Sequence, residues 1–482
     1  MPGRGTEAVS AEPTAGDAPA AVVRAGAAAG SGAARDEPAA VEQAGAAAGP
    51  AGAGAGPADA GPVVVPLRRN GPYQLLWTGS AASSLGIAVA DVAYPLAILA
   101  VTGSPARAGL FAAVQVAGQL LAGVPAGHLA DREDQRRILI VSEAARALIT
   151  AGLALALVLA AFTLPLLLAA AALLGAGQAV SSAARLVLVR AAVPPEQLTR
   201  ALTQDEVRIN GASLAGPPVA GALYGLRALA HATPFLFTAG SFLVSLLCAL
   251  LLKKAPVKAG PGRAGSSPPQ APTGNGQRSE MSGQRSGMFS GVTALLGDPV
   301  LRAVVLLITA VNTVGVGLDL IAVVILRQQS VSSAMIGIAL AGGAVGGLAG
   351  APLVRPLHRI RPGVLLLAVC AVQAPLFALL AVGYGPWWIA GLLFAAMLGV
   401  PALRVLLDVL ILRPFPEGER GRVAGAVMTL LGLGMPAGYA AAGLLLQFFA
   451  ARTAMLILAA ALAVGVLGAA AQRELWRARW PK

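Results

Sequence analysis

Charged residues are scarce in this chain: they make up 12% of the 482 residues, whereas 56% are hydrophobic. A soluble globular protein carries about 25% charged residues, because its surface must be solvated. This deficit, with a mean hydropathy of +0.74, indicates that much of the surface faces lipid. Aromatic residues are also scarce, at 4%, and the abundant Ala and Gly suit membrane helices whose backbones pack closely.

Residues that carry enzyme, metal or redox chemistry are equally few. The two cysteines, Cys248 and Cys370, lie in apolar runs without a CxxC motif, so we expect neither a disulfide nor a metal site. The three histidines, His128, His231 and His358, have no ligand spacing. A GxxxxGK[ST] phosphate-binding loop is absent, so the chain has no ATP-driven motor of its own. We therefore predict no enzyme, no cofactor and no ATPase subunit.

Long apolar segments are what the sequence does contain. Twelve of them are each long enough to cross about 30 Å of hydrocarbon as a helix. They cover residues 73–100, 106–130, 138–161, 164–189, 207–229, 234–252, 301–326, 333–355, 363–383, 386–412, 422–449 and 453–471. The predicted fold class is an all-α polytopic membrane protein with twelve transmembrane helices in two pseudo-symmetric halves of six.

The composition between these segments predicts the domain organisation. Residues 1–66 form a disordered N-terminal tail of Ala, Gly and Pro, and 67–252 form the first six-helix bundle. A flexible connector, 253–299, precedes the second bundle at 300–471, and a basic tail without a fold of its own, 472–482, closes the chain.

The net charge of +13 reflects membrane topology rather than nucleic-acid binding. Basic residues collect on the cytoplasmic side of membrane proteins. With the N-terminus inside, only four basic residues fall in the outer turns: Arg107, Arg227, Arg327 and Arg452. We expect a multi-pass protein of the cell (inner, cytoplasmic) membrane with both termini in the cytoplasm.

The two halves of the sequence repeat each other. Asp91 precedes Gly109 by 18 residues in the first half, and Asp319 precedes Gly337 by the same 18 in the second. The segments 190–200 and 413–420 both contain Arg, Pro-Glu and Arg in that order, and Gly216-Pro217-Pro218 recurs loosely as Gly434-Met435-Pro436. Parallel repeats of this kind are one way in which transporters build alternating access around a central site.

The loop between the second and third segments, GHLADREDQRR at 127–137, resembles the cytoplasmic motif GxxxDRxGRR of the major facilitator superfamily, with Asp134 where Gly is usual. The segments 85–105 and 193–198 resemble the enterobactin-exporter-like and macrolide-efflux-like branch. The resemblance covers residues 67–471 and implies proton-coupled efflux of a small molecule. It also implies a gating motif and a partial antiporter motif. The gating motif comprises Gly127, Asp131, Arg132, Arg136 and Arg137, and the antiporter motif comprises Gly216, Pro217 and Gly221.

The gating motif also has an electrostatic interpretation. A carboxylate at Asp131 beside three arginines at a helix end can form charge-assisted hydrogen bonds. The arginines also complement the negative end of the helix dipole. Such a cluster can act as a latch between the two halves, and the alternative is a plain anchor on the cytoplasmic side.

Ionisable residues inside the apolar segments are costly and therefore usually face a partner or a wet cavity. Asp91 and Asp319 lie at repeat-equivalent positions and are our first and second candidates for proton coupling; the alternative is a structural carboxylate. Two further pairs of opposite charge are spaced so that their side chains can meet on one face of a helix. They are Glu143 with Arg146 (i, i+3) and Arg404 with Asp408 (i, i+4), and each pair has either a gating or a structural role.

Uncharged polar residues in the segments more often link helices than bind ligands. They are Gln115, Gln119, Gln178, Asn312 and Gln373. We take Gln115, Gln119 and Asn312 as candidates for a substrate cavity, together with Arg185, which has no acidic neighbour in the local sequence. Such a cavity is mainly apolar with sparse polar points, which suits a hydrophobic or amphiphilic molecule.

The function predicted from these patterns is secondary active transport, by proton-coupled efflux of a drug, siderophore or secondary metabolite. The expected partners are the small molecule, protons and the lipid bilayer, and the expected functional unit is a monomer. One alternative is an uptake carrier or facilitator of the same fold. Another is a membrane protein that does not transport, such as a sensor or a lipid scramblase.

Overall fold

The computed structural model describes residues 66–226, 232–252, 297, 299–354, 360–412 and 417–477, without the side chains of residues 299, 408–426 and 477. The helices below all belong to one unit, Val64–Lys482. The other unit, Met1–Val63, lies outside the described residues, as does most of the connector predicted at 253–299.

Six helices follow a short 3-10 turn at Leu67–Arg69. They are α1 (Gly71–Thr102), α2 (Pro105–Arg132), α3 (Gln135–Val158), α4 (Leu164–Ala192), α5 (Pro195–Gly225) and α6 (Thr233–Leu251), and we call them the first half. Side-chain caps begin three of them: Asn70 for α1, Ser104 for α2 and Asp134 for α3. Each cap satisfies backbone N–H groups of the first turn that have no partner within the helix.

The second half begins at Pro299. It comprises α7 (Pro299–Gln328), α8 (Ser333–Gly350), α9 (Pro362–Leu380), α10 (Pro386–Met397), α11 (Val400–Leu412), α12 (Glu417–Phe448) and α13 (Ala451–Ala470). The span predicted over 386–412 is present as one candidate span, Pro386–Leu407, but its helix is divided into two, α10 and α11. Pro401 is the reason, because proline has no N–H to donate to the carbonyl of Met397.

Eleven helical segments among the described residues are long and apolar enough to cross a membrane. Twelve spans were predicted from the sequence, and the fifth of them is the one that is not among these eleven segments. Its helix, α5, begins at Pro195, and its first half carries five charged residues: Glu196, Arg200, Asp205, Glu206 and Arg208. The apolar second half of α5 still packs against α1 and α8.

The packing has the same pattern in both halves. Helix α1 packs on α5 and α6, as α7 packs on α12 and α13, and α2 packs on α4 as α8 packs on α10. The starts of α1 and α3 lie beside the ends of α4 and α6, since Asn70 donates to the carbonyl of Ala192 and Arg136 to that of Ala249. We call this side the terminal face, and the side carrying the α1–α2 turn the opposite face.

The two halves touch through two equivalent helix pairs, α2 with α12 and α5 with α8. A Cβ atom added to Gly109 would lie 2.5 Å from the carbonyl oxygen of Tyr439 and 2.8 Å from the Cα of Gly443. Gly337, its counterpart in the repeat, lies equally tightly against the backbone of Pro217 and Pro218. The glycines identified by the repeat therefore lie at two of the close contacts between the halves.

The register of the repeat differs from the sequence alignment in one place. Gly216-Pro217-Pro218 was aligned with Gly434-Met435-Pro436, but Pro217 occupies the place against Gly337 that Tyr439 occupies against Gly109. Likewise Gly221 packs on Ser333 as Gly443 packs on Pro105. The correct equivalence lies one helical turn further along α12, because close backbone contact, and not the position of proline, sets the register.

The C-terminal tail is partly ordered, contrary to the sequence prediction. A short helix, α14 (Arg473–Arg477), follows α13, and the side chain of Leu475 is 1% exposed. Leu475 packs against Gly363 at the start of α9, and the Trp476 indole N–H donates to the carbonyl of Ala470. The buried side chain of Leu475 provides an apolar contact that a purely basic tail would lack.

Replacing Gly109 with valine is expected to open the opposite face. Overpacking a tight contact costs about 1–3 kcal/mol, so the population closed at this face should fall about tenfold. The measurement is labelling of a cysteine introduced at Ser213 by an impermeant maleimide added from the opposite face, in a chain whose own cysteines are replaced by serine. Gly123→Val on the same helix is the control, because a Cβ at Gly123 meets nothing within 4 Å. Equal labelling of the two variants would refute the conclusion that the Gly109 contact closes the opposite face.

Candidate functional site

A cavity of about 360 Å³ lies where the two halves meet. It is lined by α1 and α5 from the first half and by α7, α8, α10 and α12 from the second. Most of its walls are apolar, with Val92, Leu320, Val323, Leu340 and Met397 among the lining residues. We call it the central cavity; its size is in the range of pockets that hold small organic molecules.

Asp91 on α1 and Asp319 on α7 both line the central cavity, together with Tyr439 of α12. Asp91 lies eleven residues before the end of α1 at Thr102, which places it roughly 16 Å below the opposite face. Both carboxylates are solvent-accessible, and among the described residues neither has an ion-pair or hydrogen-bond partner. The two aspartates that the repeat singled out are therefore brought together as free acidic groups in one cavity.

A second cavity, of about 420 Å³, lies within the first half between α1, α4 and α5. We call it the side cavity. It shares Ala88, Asp91 and Ser213 with the central cavity, so Asp91 stands at the junction of the two. Its lining is more polar and includes Arg185 and Arg208.

The charges of the side cavity are largely compensated. Arg208 pairs with Asp205 at 2.9 Å and donates to Ser84, and Arg185 pairs with Glu143 behind the cavity wall. The side cavity therefore offers hydrogen-bonding groups with little net charge.

The polar residues proposed for the substrate cavity are only partly placed there. Arg185 lines the side cavity, as does Gln178, whereas Gln115, Gln119 and Asn312 line neither cavity. The backbone of Gln115 and Gln119 instead packs tightly against Gly175 of α4. Periodicity alone does not reveal which face of α2 or α7 meets the cavity, and this is why these three were misplaced.

A buried carboxylate, Glu143 on α3, organises the interior of the first half. Its side chain is fully buried, and its Oε1 atom accepts hydrogen bonds from three groups. These are Arg146 at 3.2 Å, the Ser181 hydroxyl at 2.5 Å and Arg185 at 2.5 Å. Arg185 has no acidic neighbour in the local sequence, and its acidic partner in the structure comes from another helix, α3.

Each arginine of this network has a further partner. Arg146 donates to the hydroxyl of Ser83 on α1, and its guanidinium lies 3.9 Å from the ring centroid of Phe242 on α6. Arg185 donates to Ser245, also on α6, at 2.7 Å. The Glu143 network thus joins four helices, α1, α3, α4 and α6, by charge-assisted bonds in a medium where such bonds are strong.

The Glu143 network was only half visible in the sequence. The i, i+3 spacing identified Glu143 and Arg146 as a pair, which the structure contains as an ion pair at 3.2 Å. The serines at 83, 181 and 245 were missed, since a single serine in an apolar helix has no distinguishing local pattern. Glu143 and Arg146 lie within the first half and away from the contacts between halves, which favours the structural role over the gating role for this pair.

The loop after α2 is arranged differently from its sequence interpretation. Asp131 is exposed, and among the described residues it has no partner. Asp134 is the carboxylate that acts locally: it caps α3 by accepting from the backbone N–H groups of Arg136 and Arg137. Arg136 donates to the carbonyls of Ala249 and Leu250 at the end of α6, where a cation also complements the helix dipole.

The remaining predicted residues have simpler surroundings. A Cβ atom added to Gly127 would have no neighbouring atom within 4 Å. Arg132 is exposed at the end of α2. Arg404 is exposed on α11, whereas the side chain of Asp408, its predicted partner, lies outside the described residues. Gly216 packs on Ala88 of α1, and Gly221 on Ser333 of α8.

Comparison with known proteins identifies the family. The family model described as the Major Facilitator Superfamily matches residues 76–439. The chain belongs to the major facilitator superfamily. No curated protein is similar enough to the sequence to count as a match.

Solved structures share the fold of this major facilitator protein at low sequence identity. A bacterial homologue of the human lysosomal transporter Spinster, inward-facing and unoccupied, is 17% identical with a TM-score of 0.63, over 86% of this chain and 99% of the other. The nucleoside transporter NupG is 11% identical with a TM-score of 0.66, over 85% and 100%. An inward-facing bacterial homologue of the iron transporter ferroportin is 17% identical with a TM-score of 0.61, over 85% and 100%.

Membership of the major facilitator superfamily relates the central cavity to substrate transport. The protein is a multi-pass membrane transporter of small molecules, and its described helices form two pseudo-symmetric halves that contain eleven candidate spans. The central cavity lies between those halves, where transporters of this construction bind their substrates.

Proposed function

We propose that this transporter exports a small hydrophobic or amphiphilic organic molecule in exchange for protons. The observation that carries the proposal is the pair of unpartnered carboxylates, Asp91 and Asp319, in a cavity whose other walls are mostly apolar. An apolar wall suits an amphiphilic substrate. A carboxylate that lies in a cavity with mostly apolar walls can bind and release protons during a transport cycle.

Asp91 is the first candidate for the coupling residue because it belongs to both cavities. In the central cavity it is faced by Asp319 from α7 and Tyr439 from α12. In the side cavity it is faced by Arg185 from α4, and by Asp205 and Arg208 from α5. Since both arginines have acidic partners of their own, Asp91 is free to exchange its proton for substrate. Asp319 is the second candidate, at the equivalent place in the other half.

Alternating access in this proposal is a rocking of the first half against the second. The contacts of Gly109 and Gly337 hold the opposite face closed, and both termini lie in the cytoplasm, as the distribution of arginines favours. The transport unit is the monomer, since each chain carries a complete cavity. Asp131 and the arginines of its loop serve as a latch that engages only when the terminal face closes.

Asp131→Asn is expected to slow transport about tenfold, the effect of losing one charge-assisted hydrogen bond, without lowering thermal stability. The reason is that Asp131 is exposed and unpartnered while the opposite face is closed. Asp134→Ala is the matched contrast: it should cost about 1 kcal/mol of stability by removing the cap of α3. Transport rates and melting temperatures of both variants check this prediction. An unchanged rate for Asp131→Asn would exclude the latch.

The experiment that tests proton-coupled export uses purified protein in vesicles with the pH dye pyranine trapped inside. Three probes are added in turn: the neutral amphiphile N-phenylnaphthylamine, the cation tetraphenylphosphonium and the anion tetraphenylborate. We expect at least one probe to drive proton movement above the level of protein-free vesicles. Movement of a probe without protons would favour a facilitator, and if no probe moves protons the proposal fails.

A further inference from the structure

The central cavity has an unbalanced negative charge. Among the described residues, its lining contains two carboxylates, Asp91 and Asp319, and no lysine, arginine or histidine. The adjoining side cavity has two basic side chains, Arg185 and Arg208, and each of them pairs with another acid, Glu143 or Asp205. When both aspartates are ionised, nothing in the lining of the central cavity neutralises them.

We propose that the central cavity selects organic cations, by the joint attraction of Asp91 and Asp319 across an apolar chamber. This inference rests on the proposed function, because it names the charge class of the molecule that the transporter carries. Two negative charges in a medium of low dielectric constant attract a cation strongly and repel an anion by a similar amount. A neutral amphiphile gains only the apolar contacts.

The rest of the lining favours an organic cation over a metal ion. Divalent metal ions need four or more oxygen, nitrogen or sulfur ligands. Apart from the two carboxylates, the polar side chains here are Tyr439 and Ser213. The part of the chain that the structure describes contains no group of three or more His, Cys, Asp or Glu able to hold a metal. By contrast, Tyr439 and Met397 supply an aromatic ring and a polarisable sulfur, both of which suit a soft organic cation.

The two aspartates act from opposite sides of the contact between the halves. Asp91 belongs to α1 of the first half and Asp319 to α7 of the second. A cation held between them is therefore bound by both halves at once, and its binding relieves the repulsion between the two carboxylates. Protons can do the same, which explains physically why protons and a cationic substrate would compete for one site.

The test is equilibrium binding to the full chain in lipid nanodiscs, with no gradient imposed, using tetraphenylphosphonium and tetraphenylborate. These ions have nearly the same shape and opposite charge, so their difference reports the charge of the site. We expect saturable binding of the cation alone. Asp91→Asn and Asp319→Asn should each weaken it at least about tenfold. Glu206→Gln is the matched control, because Glu206 is exposed on α5 and lines neither cavity.

Several results would overturn the inference. They are equal binding of the two ions, the absence of saturable cation binding, unchanged affinity in both aspartate variants, and displacement of the cation by stoichiometric Mn²⁺, which would indicate a metal site. The comparison of the two ions on the parent chain needs no variant, so it holds even if a substitution prevents folding. Since no protons are measured, failure here is distinct from failure of proton coupling, which the pyranine assay reports.

Discussion

Asp91→Asn is expected to reduce probe-driven proton movement to the level of protein-free vesicles, while expression and melting temperature stay close to those of the parent. Asparagine has nearly the shape of aspartate but cannot bind and release a proton. Asp91 lines both cavities and has no partner whose loss would disturb the fold. The pyranine assay measures the effect directly, with the probe that gives the largest signal on the parent chain.

Two further variants sharpen the test of Asp91. Asp319→Asn should give a smaller loss, because Asp319 lines the central cavity but not the side cavity. Glu206→Gln should leave proton movement unchanged, as it removes a carboxylate outside both cavities. Proton movement by Asp91→Asn at the parental rate would show that the coupling residue has been misassigned. An equal loss in Glu206→Gln would point to a general effect of charge.

Glu143→Gln is expected to lower the free energy of unfolding by about 3–5 kcal/mol, the range found when one member of a buried ion pair is removed. The substitution leaves Arg146, which is 2% exposed, and the largely buried Arg185 without a negative partner. Glutamine can still accept a hydrogen bond from the Ser181 hydroxyl. The loss of unfolding free energy therefore measures the missing charge more than a change in side-chain shape. Titration of the purified protein with SDS in mixed micelles, followed by circular dichroism, measures the effect.

The contribution of charge at Glu143 can be separated by a second substitution. In Glu143→Gln combined with Arg146→Gln, one of the two uncompensated charges is removed, so part of the stability should return. Arg185 then remains, but it lines the side cavity and can reach water. If the double variant is less stable than Glu143→Gln by the full cost of a second substitution, the two residues act independently and the network has been misjudged.

Much of the fold could be predicted from the sequence because its main signals are local. Apolar length predicts spans, and proline, glycine and capping residues predict their ends. The equal spacing of Asp91 to Gly109 and Asp319 to Gly337 predicted equivalent positions. The two aspartates line one cavity, and the two glycines carry the equivalent contacts between halves.

Several features of individual helices and loops were not recognised from the sequence. The division of the span at 386–412 into two helices was not predicted, and neither was the charged first half of the fifth helix. The capping role of Asp134 went unrecognised beside the more conspicuous Asp131. The choice between two nearby carboxylates was decided by the geometry of the loop, which the motif does not contain.

The sequence by itself determined that this is a multi-pass membrane protein built from two repeated halves, because lipid requires apolar length and internally bonded helices. It also identified Asp91 and Asp319, since an ionisable residue in a span is rare enough to be informative. Only the tertiary structure decided that Arg185 belongs to Glu143, that Gln115, Gln119 and Asn312 lie away from the cavities, and that no base balances the two aspartates in their cavity. Each of these facts depends on which helix faces pack against each other. Helix periodicity shows which residues share a face, but it does not show which other helix that face contacts.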